Sequence, residues 1–100
     1  MTIPAADLSE TEQQRQQRLS ELAAEQGPQW AEQFKPGSMG CHELLDRTVT
    51  IGDMVEQCVL AHPACALQPE WYALAEQAVA ALRELYQQIG TQHLQDAPAK

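Results

Sequence analysis

Two long helical patterns of apolar residues occupy the second half of the chain, and a weaker one lies near its start. From Ser38 onward, Leu44, Leu45, Thr48, Ile51, Gly52, Val55, Cys58, Val59 and His62 recur at three- and four-residue intervals. On a helical wheel they share an arc of roughly 140°, which predicts an amphipathic helix over 38–62 with Ser38 as its cap and Pro63 as its stop. After a connection over 63–68, Pro69 and Glu70 suit the first turn of a second helix over 69–90. The proline has no N–H to lose there, and the carboxylate meets the positive helix end. Trp71, Leu74, Ala75, Ala78, Leu82, Leu85 and Ile89 form its main apolar face, and Tyr72, Val79 and Tyr86, spaced by seven, form an adjoining stripe. Gly90 is the expected end of this helix.

Two long helices joined by so short a connection return antiparallel as a hairpin. That register sets His62 beside Glu70 and Trp71, Gly52 beside Ala81 and Leu82, and Thr48 beside Leu85, with Cys41 near His93. The two apolar stripes of the second helix span about half its circumference, wider than one neighbour covers. The Tyr72, Val79, Tyr86 stripe therefore needs a further cover. Either the N-terminal segment supplies it or a second hairpin does, across a two-fold axis in an antiparallel four-helix arrangement.

The N-terminal third is more polar. Ser9 with Glu12 three residues on makes a capping-box signature for a helix over 9–26, whose only apolar stripe is Leu19, Leu22 and Ala23. Gln13, Gln14, Gln16 and Gln17 read first as a solvated face and second as a partner-binding one. Gly27 and Pro28 stop this helix. Trp30 and Phe34, four apart, then predict a short helix over 28–34 whose aromatics plug the core or join an interface. Residues 1–8 are expected to fray and 96–100 to form a loose tail, leaving 9–95 as a single helical domain.

Composition agrees with this reading. Ala, Leu and Gln dominate and β-branched residues are few, so the expected fold is all-α: an antiparallel hairpin plus an N-terminal helix in a small three- or four-helix bundle, with dimerisation as one way to complete it. At 100 residues the core is small and a two-domain enzyme is excluded. Six Lys and Arg against fourteen Asp and Glu give a net charge of −8, and the basic residues are scattered. Nucleic acid and anionic membrane are therefore not expected partners. Neither a membrane-spanning run nor a secretory signal is visible, and three cysteines of unpatterned spacing fit free thiols, so the expected compartment is the cytoplasm.

Two groups of residues carry candidate chemistry. Cys58, His62 and Cys65 would converge at the hairpin tip as three zinc ligands, or act as redox-sensing thiols, if Cys58 and His62 stand one turn apart on one helix. The plainer alternative makes Cys58 a small buried hydrophobe and His62 a ring packed near Trp71. Cys41, His42 and His93 form a weaker group at the other end. His42 and Asp46, one turn apart on the outer face, are either an ordinary surface pair or an imidazole oriented by a carboxylate. No phosphate-binding loop or nucleophile elbow is present, so no catalytic activity and no cofactor are expected, zinc being the one metal considered. The leading expectation is a module that self-associates or docks on a protein partner, with Trp30, Phe34, Tyr72, Val79 and Tyr86 at the interface. A metal-binding or thiol-sensing protein is the alternative, and an acidic inhibitor mimicking nucleic acid is a second one.

Overall fold

The computed structural model describes residues 5–96, with side chains from residue 9 onward. Its elements are α1 (Ala5–Gln26), a 3-10 turn (Trp30–Gln33), α2 (Met39–Val55) extended by a π-helical turn (Glu56–Leu60), α3 (Pro63–Ala66) and α4 (Pro69–Gln95). The fold is all-α, and no strand occurs among the described residues. The expectations for residues 1–4 and 97–100 lie outside that range.

The chain divides into two compact units, residues 1–33 and 34–100. In the first unit, α1 carries only a short apolar stripe of Leu19, Leu22 and Ala23. It begins at Ala5, ahead of the expected Ser9 cap, because Ala5 and Ala6 are the strongest helix formers and extend it backward. Glu12 instead faces forward along the helix, accepting from Arg15 Nη2 at 2.6 Å and Gln16 Nε2 at 3.0 Å. Gln17 Nε2 donates to Glu21 at 3.4 Å, so these glutamines belong to a solvated face laced by local bonds. Gly27, at φ 95°, ends α1 in the left-handed conformation that glycine adopts without strain, and its N–H donates to Ala23 O at 3.0 Å.

Between Gly27-Pro28 and Pro36-Gly37 the chain forms a single 3-10 turn, Trp30–Gln33, rather than the expected α-helix over 28–34. In that tighter turn residues three apart eclipse, so four-residue spacing no longer stacks Trp30 on Phe34. Trp30 is half-buried and belongs to the first unit, whereas Phe34 is exposed and opens the second.

The second unit is the hairpin of α2 and α4. Ser38 caps α2, its Oγ accepting the Cys41 N–H at 3.2 Å. The antiparallel register is read from three levels. Gly37 N–H donates to His93 Nδ1 at 2.9 Å, Leu45 Cδ1 lies 3.6 Å from the Cβ position of Gly90, and Leu82 Cβ lies 3.7 Å from that of Gly52. As the numbering rises on α2 it falls on α4. Gly90 does not end α4, which runs on to Gln95 before Asp96 N–H closes on Gln92 O at 3.1 Å. One internal glycine costs only about 1 kcal/mol of helix propensity, and here it admits Leu45.

The end of α2 also departs from expectation. A proline disfavours helical backbone at the residue before it, and His62, preceding Pro63, is extended at φ −66°, ψ 133°. The helix finishes in a wider turn in which Ala61 N–H bonds Glu56 O at 3.0 Å. His62 is therefore outside α2 and serves as the cap of α3, its Nδ1 accepting the Ala64 N–H at 3.0 Å.

The buried residues are Cys41, Thr48 and Gly52 on α2, Cys65 on α3, and Ala75 and Val79 on α4. Thr48 satisfies its hydroxyl on Leu44 O at 2.8 Å. No large side chain among the described residues is fully buried. Within the second unit the hairpin has one seam of small and medium residues.

Candidate interaction face

The orientation of α4 redistributes its two expected stripes, with Ala75 buried and Leu82 against Gly52 as expected of the main face, but the outer edge of that face left open. Val79, placed by sequence on the stripe awaiting a cover, is 7% exposed and packs in the seam. Tyr86 is half-buried, and Tyr72 lies at the exposed end of the same stripe. Trp71, Leu74 and Leu85, placed by sequence against α2, lie open to solvent.

Arg83 fixes which side is which. Its guanidinium bridges Asp53 at 2.9 Å and Glu56 at 3.0 Å, and these partners, the Asp53 hydrogen bond first, raise its pKa. At about 100° per residue Arg83 lies roughly 40° from Val79 in one direction, while Trp71, Ala78, Leu85 and Leu74 lie roughly 80° to 140° away in the other. On α2, Asp53 and Glu56 lie on Arg83's side of Thr48; Leu44, Ile51 and Met54 lie on the opposite side. In an antiparallel pair, equal senses of rotation lead to the same side of the hairpin, so both apolar stripes share one face. Leu44, Ile51, Met54, Val59, Trp71, Leu74 and Leu85 are each between 47% and 63% exposed there. The polar side carries the Arg83 bridge.

Toward the hairpin tip this face deepens into an open groove of about 480 Å³ lined by Cys58, Val59, His62, Cys65, Trp71, Leu74 and Ala75. The three Cys and His residues expected at the tip thus share one groove, but not as one helix face. The wider turn and the extended His62 separate them, Cys58 is exposed while Cys65 is buried, and His62 Nδ1 is engaged by Ala64. Among the described residues no group of three or more His, Cys, Asp or Glu is placed to hold a metal ion.

At the other end, Cys41 is buried in the seam. His42 is exposed, and its ring lies 5.7 Å from that of His93, tilted by 40°. His93 Nδ1 in turn accepts the Gly37 N–H at 2.9 Å. His42 therefore neighbours an imidazole across the hairpin; no bond joins it to Asp46 among the described residues, whose backbone oxygen takes the Thr50 hydroxyl at 3.0 Å. Asp46 is a surface residue of α2.

No helix among the described residues is long and apolar enough to cross a membrane. No protein-family model, curated protein or solved structure matches the chain.

Proposed function

We propose that this protein is a non-catalytic interaction module that docks a protein partner on the open apolar face of its hairpin. The observation that supports this reading is the pairing of seven half-exposed large apolar side chains on one face with a core that, among the described residues, encloses no large side chain fully. Soluble monomers rarely leave contiguous apolar patches above a few hundred Å² open to water, and larger ones mark interaction sites. The shape fits a helical occupant, because two parallel ridges of side chains with a groove between them accept a helix or a helix pair.

The test is solvent access to the face in the purified protein, read by binding of a hydrophobic dye and by the mass of the particle in light scattering. A docking face gives either dye binding by the single chain or an assembly heavier than one chain; a single chain that binds no dye ends the reading. The thiol-sensing alternative keeps one supporting observation, the sharing of a groove by Cys58 and Cys65. Thiol titration before and after mild oxidation tests it, and retention of three free thiols per chain removes it.

A further inference from the structure

We infer that the occupant of the open face is a second copy of this chain, seated across a two-fold axis so that two hairpins close into one four-helix bundle. The inference rests on the docking reading above and names the partner.

Area is the first argument. An aromatic side chain presents roughly 150 to 250 Å² and an aliphatic one less, so the seven, about half exposed and one of them aromatic, offer on the order of several hundred Å² per copy. A standard stable interface takes about 800 Å² from each partner. The hairpin thus carries a large part of the half-interface of a stable dimer.

Charge is the second. A chain of net charge −8 repels its own copy unless the carboxylates are kept off the contact. Asp53 and Glu56 lie on the opposite side, held by Arg83. Among the described residues, the ion pair bordering the face, Arg47 with Glu43 at 3.5 Å, is internally neutral. A basic partner finds no acidic patch to select it here, whereas a neutral apolar face matches its own copy.

Architecture is the third. A hairpin is a single layer, and helical folds bury their stripes between two layers. Among the described residues α1, at 22 residues, is long enough for a second layer but brings only Leu19, Leu22 and Ala23 as an apolar stripe. The stripes of α2 and α4 lie side by side in one patch, so a two-fold axis covers both with the same patch of the partner and leaves no unmatched surface to propagate a fibre.

The experiment is light scattering on the full chain from micromolar to near-millimolar concentration, together with thermal unfolding over the same range. The expected result is twice the chain mass and a melting temperature that rises with concentration, as dissociation-linked unfolding requires. Leu74→Glu should abolish the doubled mass, while Gln87→Glu, the same change in charge on the far side of α4, should preserve it. The melting of the unaltered chain carries the test even if Leu74→Glu fails to fold. A single-chain mass with a concentration-independent melting temperature overturns the inference. If that single chain binds hydrophobic dye, docking stands with a different occupant; if it does not, both fall. A dimer that survives Leu74→Glu overturns the assignment of this face.

Discussion

His93 Nδ1 accepts the backbone N–H of Gly37 at 2.9 Å, joining the last turns of α4 to the residue just before the cap of α2. An accepting Nδ1 carries no proton, so the ring is neutral and its proton lies on Nε2. Gly37 stands at φ 89°, a conformation that favours glycine and lets the chain turn sharply into the Ser38 cap. The base of the hairpin is held by a side chain from one helix satisfying the backbone that starts the other.

Replacing His93 with Ala leaves a partly buried N–H without its acceptor, at a cost of about 1 to 3 kcal/mol. His93→Asn, whose amide oxygen occupies nearly the position of Nδ1, should recover part of the loss. Urea denaturation of the three proteins checks this, and equal midpoints for His93→Ala and the unaltered chain would show the bond to be dispensable.

Glu12 gives α1 a pH dependence of its own. The Arg15 hydrogen bond first, and then that of Gln16, lower its pKa from 4.5 to about 2. A carboxylate with a depressed folded-state pKa stabilises above the unfolded value and loses that contribution as pH falls through the folded one. Helicity of α1 should therefore fall between about pH 4.5 and about pH 2. Glu12→Gln should flatten that part of a circular dichroism titration, and an unchanged titration would refute the assignment.

The helix pair and its register were legible in the sequence because three- and four-residue periodicity, Ser38 and Pro69 each have one local meaning. The rotation of α4 was not. Its two apolar stripes adjoin, and periodicity alone does not say which meets α2. The signal that resolves them is polar: Arg83 adjoins the Val79 stripe and has Asp53 and Glu56 facing it across the hairpin. The tip misled for a different reason. The pattern continues through Cys58 and Val59, but the constraint of Pro63 on His62 opens the last turn, so spacing drawn from an ideal helix does not hold there.

Gly90 and Gly52 separate helix propensity from packing. A Cβ at Gly90 would meet Leu45 Cδ1 at 3.6 Å, an ordinary contact, so Gly90→Ala should stabilise the protein by up to about 1 kcal/mol. At Gly52 the same atom meets Arg83 Nη1 at 3.2 Å and Leu82 Cβ at 3.7 Å. A large side chain there has to displace the Arg83 bridge and spread the helices. Gly52→Leu should therefore destabilise by about 1 to 3 kcal/mol, the usual range for overpacking. Thermal unfolding of both variants decides the matter, and stabilisation by both would mean that the helices do not approach closely at Gly52.

The three thiols should react in two classes. Cys41 and Cys65 are buried at 8% and 9% exposure, whereas Cys58 is exposed. A thiol reagent reaches buried sulfur only when the structure opens, so its rate there is scaled by the open population. With a native hairpin, one thiol should be labelled quickly and two slowly, and denaturant should bring all three to one rate. Cys58→Ser should delete the fast phase and leave the slow ones in place. Because Cys58 lines the groove beside Trp71 and Leu74, its rate also reports on whatever occupies the face. With a second copy seated there, the fast phase should slow as concentration rises, while Leu74→Glu should hold it at its dilute value. A fast phase that is indifferent to concentration, in a chain shown to be dimeric, would place the contact away from the groove.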